Sequence, residues 1–479
     1  MLVSAVVRGW LCGDAWGRAI RVLAPLGALV VEGWPALVGA VLLQEGGLWL
    51  AARFTSCCEL RPTTRRLFLA AYGLRVVVVL PTHYYQKLVN GSGALFPDDY
   101  TNDLVGEWLV RIARGDALWI FSGHQQVLGS IYPYLLMAAY SVFGYTPVLP
   151  KLVNSCLAAL SAVLVFEMAR RAFHMRVAIV AWLGAAVLPS LVVWSVASLK
   201  ETLVLFVALL GLWTLQFLTT VPARSHRLAD ALVLFFAVLT LLLDLRAITT
   251  LFLAVLLAVV CATRSRERFV GRPIRLGFAV LAVVVVVGGG LWVVRSRTSS
   301  RPFTAIVEDV VLVIRHRRAQ EAASAGSQFR IGLDTTSVTG SDLPASEAAS
   351  DSAPFSLVGD VFEPLGYALL APAPWQAHSL MELGASAEMA VWYVLLVTTC
   401  LAWVASPQQR LFVVCLALYG IANWLLLAAT EGNLGNLMRH RLMLDPVLLI
   451  LGAAGLEWLW VRSGWRGLPA RWVTSEGVT

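Results

Sequence analysis

The chain has 479 residues, of which 58% are hydrophobic and only 14% charged, with a net charge of +8. A soluble protein carries about 25% charged residues and would need them to cover two or three domains of this length. That class is excluded, and so is nucleic-acid binding, because the basic residues sit singly or in short clusters between apolar blocks and form no stripe interleaved with aromatics.

The apolar blocks match a hydrocarbon core about 30 Å thick, which takes about 20 residues as a helix. An isolated span in lipid must satisfy its own backbone, so each block is expected to be helical. The chain therefore reads as an all-α polytopic membrane protein with about 10–12 transmembrane helices. In order, spans are expected over 67–86, 148–169, 177–194, 201–219, 228–243, 247–262, 276–294, 386–405, 411–429 and 442–460. Residues 23–43 are apolar but interrupted by Glu32 and Pro35, so 1–60 is a segment of open topology: a hairpin, an interfacial segment or a misassigned start.

Orientation follows from the positive-inside rule. With Arg61, Arg65 and Arg66 in the cytoplasm, the short loops 170–176, 220–227, 263–275 and 406–410 and the tail after 460 also fall inside, and they are Arg-rich. The short outside loops carry only Lys200, Arg246, Arg439 and Arg441 as Lys or Arg. Two long segments then lie outside. Residues 87–147 hold an acidic cluster and an apolar stretch, Ile131–Gly144, too short to cross and so interfacial or re-entrant. Residues 295–385 open with Arg315-His316-Arg317-Arg318, pass through Ser/Ala/Asp-rich sequence and regain order near Phe362-Glu363-Pro364. The organisation is thus 1–60, a transmembrane core 61–294 including loop 87–147, a loop 295–385, and C-terminal spans 386–479 with a cytoplasmic tail. None of the seven cysteines falls in either long loop, so no disulfide framework is readable.

Three constellations could carry chemistry. The first is Phe96-Pro97-Asp98-Asp99-Tyr100-Thr101-Asn102-Asp103. Its carboxylates could supply a general base or hold a divalent metal, or they could form a solvated turn in which Asp103 caps a helix starting near Leu104. The second is Trp194-Ser195 to Lys200-Glu201, where the Lys-Glu pair either anchors a helix end or places both charges over an external cavity. The third is Glu431 to Arg441, with Arg439, His440 and Arg441 on the cation-poor side. Guanidinium groups match phosphate oxygens bidentately, so a lipid phosphate is their natural partner, against simple headgroup anchoring. The histidines show no ligand spacing, and Walker-type and His-Glu-x-x-His motifs are absent.

The order of these groups resembles the GT-C glycosyltransferases of the dolichyl-phosphate-mannose protein mannosyltransferase type, which include the bacterial lipid A aminoarabinose transferase. The resemblance runs over roughly 67–220. It rests on the Asp98-Asp99 loop, Gly115-Asp116, Tyr132-Pro133-Tyr134 with Phe143-Gly144, Lys151 with Asn154, Arg170-Arg171, Pro189 with Trp194-Ser195, and Lys200-Glu201. Pro372-Ala373-Pro374-Trp375 and Arg439-His440-Arg441 resemble segments of bacterial members.

The resemblance implies transfer of a sugar from a polyprenyl-phosphate donor to a hydroxyl of a lipid, glycan or protein, on the outer face of a bacterial plasma membrane. It implies an acidic base in the first external loop, here Asp99 or else Asp98, with Glu201 as a second acidic position. Tyr100 follows the acidic pair directly, a departure from the family spacing, and joins Asp103 and His440 as acceptor or supporting residues. Arg439, Arg441 and Lys200 would stabilise the departing phosphate. No soluble cofactor is required by such a donor. The competing readings are a transporter or lipid flippase, a ligase using a diphosphate-linked donor, and a non-catalytic assembly factor. A transporter would place ionisable residues mid-membrane or show broken helices, whereas nearly all charges here are expected at span ends.

Overall fold

The computed structural model describes residues 14–55, 58–116, 128, 130–221, 226–264, 362–373, 380–405, 407–431 and 434–463. The expected span 276–294, the basic patch 315–318 and the Ser/Ala/Asp-rich stretch lie outside the described residues. Among those described there is no strand. Six helices are long and apolar enough to cross a membrane, or up to eight if each of two bent pairs is one span. The protein is an all-α, multi-pass integral membrane protein.

The N-terminal segment is a helical hairpin. Helix α1 (Asp14–Glu32) and α2 (Trp34–Phe54) meet at Gly33, whose φ of +80° is a left-handed conformation that glycine adopts without cost. Both pack on α3 (Arg61–Asn90), and α2 comes so close that a Cβ on Gly47 would overlap the Phe68 ring. Small residues allow such close approach between helices in lipid, where packing rather than hydrophobicity drives association.

Two short helices follow, α4 (Pro97–Arg114) and α5 (Tyr132–Phe143), which pack on one another. With 12 residues, α5 is too short to cross a membrane. Helix α6 (Val148–Ala172) is buried on nearly every face, as an all-round apolar sequence requires, and packs against α2, α3 and the next helix. That helix is broken: α7 (Met175–Val187) and α8 (Pro189–Ser195) meet at 51°. Pro189 pushes Leu188 to ψ 123° and has no N–H for the Ala185 carbonyl.

Helix α9 (Glu201–Leu218) follows a tight loop, then α10 (His226–Arg264) runs 39 residues and is interrupted at Arg246 (φ −161°, ψ 82°). A Cβ on Gly211 would stand 2.8 Å from Leu253 and 3.1 Å from Val238. A straight helix would hold residues fifteen apart at about 22 Å. The chain therefore doubles back at Arg246, giving the two spans that the polar Asp244–Arg246 step predicts. The remaining helices are α11 (Glu363–Leu370), α12 (Leu380–Thr399), α13 (Arg410–Thr430), α14 (Leu434–His440) and α15 (Asp445–Arg462). The last two are separated by a 3-10 turn, Arg441–Met443, and form the second bent pair, at 62°.

By compactness the chain divides into two units, one of residues 1–210, 395–408 and 449–479 and the other of 211–394 and 409–448.

Candidate functional site

In the first unit, the end of α3 turns sharply into α4. Gly91 closes α3 in the left-handed region, and its N–H returns to the Lys87 carbonyl. Asn90 then folds the turn by accepting from the N–H groups of Ser92 (3.0 Å) and Gly93 (3.3 Å). Pro97 starts α4 with its φ already helical, and Asp98 and Asp99 complement the positive end of the helix in its first turn.

Asp99 is fully buried. Its Oδ2 accepts from the Leu95 N–H at 2.8 Å and lies 3.3 Å from the Lys151 ammonium, while Oδ1 accepts from the Ser198 N–H at 2.8 Å. The loop between α8 and α9 is clasped by three side chains in all. Asn102 donates to the Ser198 carbonyl (2.9 Å), and Asn154 donates to those of Ala197 (2.6 Å) and Leu199 (2.9 Å). This clasp fixes the positions of Lys200 and Glu201.

One turn further along α4, Asp103 accepts a 2.6 Å hydrogen bond from the Tyr140 hydroxyl. Burial, and then the neighbouring Asp99, push its carboxyl up to about 7, against the opposing pull of Lys151, Tyr140 and Ser198. Tyr132 is raised well above the usual phenol range by burial, and then by Asp103, with Asp99 and Glu201 adding to it. Asp99 and Asp103 thus share a buried, tyrosine-lined spot beside the buried Lys151, and Glu201 acts on the same Tyr132. Such charges are costly away from water and default to a functional site in a membrane protein.

Lys151 also donates to the Gly93 carbonyl and lies 3.2 Å from His83 Nδ1. His83 Nε2 reaches Glu32 at 2.8 Å, and Lys87 holds the same Glu32 oxygen at 3.0 Å. Gly93 is required twice here. Its φ is +72°, and a Cβ would fall on the His83 ring. Gly93→Ala is expected to cost about 2–3 kcal/mol in stability, against about 1 kcal/mol for Gly91→Ala, whose Cβ would meet nothing within 4 Å. Thermal melting of the two variants side by side checks the difference; equal losses would mean that the His83 contact contributes nothing.

The sequence-predicted residues separate clearly. Asp98 and Tyr100 are exposed beside the buried cluster, Lys200 is half-buried, and Glu201 is buried at the start of α9. Asp103 is not a helix cap: α4 begins at Pro97, because a proline at the first position with acids behind it is a stronger start signal than a lone Asp before Leu104.

Arg439, His440 and Arg441 belong to the second unit. His440 Nδ1 lies 2.6 Å from Glu431. Burial would raise the Glu431 carboxyl, but the hydrogen bond and charge of His440, helped by Arg246, hold it below the usual carboxylate range. Arg439 is half-buried. Arg441 is buried and already engaged: it donates to the carbonyls of Ala368 (2.9 Å) and Tyr367 (3.2 Å) at the end of α11 and stacks over Trp392 at 5.1 Å.

Sequence reasoning passed over Glu32, His83 and Arg75 and gave Lys151 no role of its own. The available signal was an ionisable residue inside an apolar run. His83 lacks metal-ligand spacing because its partners are Glu32 and Lys151. Arg75, mid-way along α3, is 1% exposed and donates to Ser195 Oγ (3.1 Å) and to the carbonyls of Ala71 (3.0 Å), Ala185 (3.0 Å) and Ala186 (3.3 Å). The Ala185 carbonyl is the one that Pro189 leaves without a helical partner.

Among the described residues, no three or more His, Cys, Asp or Glu side chains gather as a metal site would need. No protein-family model matches the chain, and no curated protein sequence matches it.

Proposed function

We propose that the protein is a GT-C-type glycosyltransferase that moves a sugar from a polyprenyl-phosphate donor to a hydroxyl acceptor on the outer face of a bacterial plasma membrane. One observation carries this reading: Asp98 stands exposed in the first turn of α4, while the residues directly behind it anchor that turn in a buried cluster of Asp99, Asp103, Lys151 and Glu201. A carboxylate fixed in place yet open to solvent is what a general base needs.

Of the two candidates we favour Asp98 over Asp99 as the base, because Asp98 is exposed and Asp99 is sealed from solvent. Asp99, which holds the Ser198 N–H of the clasped loop, is proposed as a positioning residue. In the proposed reaction Asp98 takes the proton of the acceptor hydroxyl as its oxygen bonds to the anomeric carbon. The bond from that carbon to the phosphate oxygen breaks through an oxocarbenium-like state, and the lipid phosphate leaves with the bonding pair. Lys200, next to the clasped loop, is the cation of the same unit proposed to stabilise that charge. In the second unit Arg439 keeps its proposed role as a lipid-phosphate ligand. Arg441 instead supports α11, since its guanidinium donors are directed at the helix-end carbonyls.

A transporter is the second reading, favoured by Arg75 mid-span and by the two broken helices. Against it, Arg75 is fully engaged in bracing one of those breaks and is sealed from solvent.

The test works whichever sugar is moved. Cells lacking the chain are complemented with wild type, Asp98→Asn or Asp99→Asn, and envelope lipids, glycans and proteins are profiled by mass spectrometry. The expected result is a glycan shortened by one sugar residue in the Asp98→Asn strain, with transfer reduced about 10²-fold or more. Identical profiles for wild type and both variants would reject the mechanism.

A further inference from the structure

The hydrogen bonds around Lys151 continue beyond the carboxylates, in an unbroken line across four helices. Asp99 on α4 lies 3.3 Å from Lys151 on α6; Lys151 lies 3.2 Å from His83 Nδ1 on α3; His83 Nε2 lies 2.8 Å from Glu32 at the end of α1. Asp99, Lys151 and His83 are at most 2% exposed, Glu32 side-chain exposure is 9%, and the Lys87 side chain that meets Glu32 is 46% exposed. The line therefore runs from the sealed interior to the edge of the bundle. We propose that Lys151, His83 and Glu32 form a proton relay between the buried Asp99–Asp103 pair and the rim at Lys87.

His83 is what makes the line a relay rather than a set of ion pairs. Its Nδ1 faces two groups at once, the Lys151 ammonium at 3.2 Å and the Gly93 carbonyl at 3.1 Å. With the proton on Nε2, that N–H donates to Glu32 and Nδ1 accepts from Lys151. With the proton on Nδ1, it donates to the Gly93 carbonyl and Nε2 accepts from Glu32 once that carboxyl is protonated. Both patterns exist in one ring position, so the ring can change tautomer without turning.

The transfer balances. The Lys151 ammonium gives a proton to Nδ1 as the Nε2 proton passes to a Glu32 oxygen, leaving a neutral imidazole and a neutral amine. The amine then takes a proton from the Asp103–Asp99 pair, delivered at the Asp99 oxygen beside it. One proton has moved from the pair to Glu32, Lys151 ends as it began, and His83 ends as its other tautomer. The pair at the inner end is built to hold a proton, since Asp103 and Asp99 lie one helical turn apart and both are buried. The groups that face Asp103 are Asp99 on its own helix, Tyr132 and Tyr140 on α5, Tyr145 in the following turn, Lys151 on α6 and Ser198 in the clasped loop, while Glu201 on α9 acts on Tyr132.

The relay goes beyond the proposed transfer reaction and is tested without it. Full-length protein in lipid nanodiscs is given a proton by photolysis of a caged acid, and the carbonyl band of protonated carboxyls is followed by time-resolved infrared spectroscopy. Loss of the band in Asp103→Asn assigns it to the pair. Glu32→Gln keeps an acceptor for His83 but cannot carry a proton, and His83→Phe breaks the line. Both are expected to slow protonation of the band by an order of magnitude or more. Unchanged rates in Glu32→Gln, with the wild-type melting temperature, would overturn the relay even if His83→Phe does not fold. The glycan profiles of the Asp98 variants are unaffected by that outcome, so the two proposals fail separately.

Discussion

Replacing Arg75 by Met is expected to destabilise the protein by about 3 kcal/mol, the scale for removing one partner of a buried, hydrogen-bonded charge. The reason lies in the α7–α8 break. Pro189 orphans the Ala185 carbonyl, and the Arg75 guanidinium meets that carbonyl, the Ala186 carbonyl and Ser195 Oγ together. Methionine fills similar volume but leaves these acceptors without a donor, each at a cost of about 1–3 kcal/mol. Lysine should not rescue, because one ammonium cannot span a planar fork of acceptors. Ser195→Ala removes a single partner and should cost less than half as much. Melting of the purified variants, followed by tryptophan fluorescence, reads the difference. Trp194 on α8 stacks on Phe96 at 4.8 Å and so reports this region directly. A wild-type melting temperature for Arg75→Met would show that the break holds without its brace.

Asp103→Asn is expected to stabilise the protein at pH 8 and to flatten its pH dependence. The Asp103 carboxyl titrates at about 7 in the folded chain, against an ordinary value of 3.8. Between those values the folded protein holds a proton that the unfolded chain has released. The resulting stability is complete below pH 3.8, declines as pH rises, and is lost above about 7. The full difference is about 4 kcal/mol at about 1.4 kcal/mol per unit. Asparagine cannot ionise and keeps an oxygen for the Tyr140 hydroxyl. Melting temperatures at pH 5 and pH 8 should therefore differ more for wild type than for Asp103→Asn. Glu431, held below the usual carboxylate range, exerts its own effect at lower pH and does not confuse this window. A variant less stable than wild type at pH 8 would contradict the assignment.

Much of the membrane scaffold was legible from composition, because apolar length alone dictates a helix in lipid. The hairpin at Arg246 was legible too, since Asp244 and Arg246 interrupt an apolar run long enough for two crossings. The break at Pro189 was not, and 177–194 reads as one span. A proline in a membrane helix is tolerated in many geometries, and the Arg75 side chain that meets the freed carbonyl here arrives from another helix. The candidate site was half legible. Asp98, Asp99, Lys200 and Glu201 are clustered in sequence at two segment ends. Lys151, His83 and Glu32 are single polar residues in three different apolar helices, and only packing shows that they meet. Asp99 and Asp103 were visible as acids, but only the packing shows that both are buried and which donors they meet. The same holds for Arg441, whose composition signals a phosphate ligand while its contacts are the carbonyls of α11.

The lipid-linked donor is tested most directly by native mass spectrometry of the detergent-purified protein, as wild type and as Arg439→Ala. Arg441 is left intact because its loss would undo the end of α11. The expected result is a co-purifying lipid in the mass range of polyprenyl phosphates and their monosaccharide adducts, retained by wild type and lost by the variant, with the adduct mass giving the class of sugar. Only bulk phospholipid on both forms, even after polyprenyl phosphate is added, would contradict a lipid-phosphate donor and turn attention to transport.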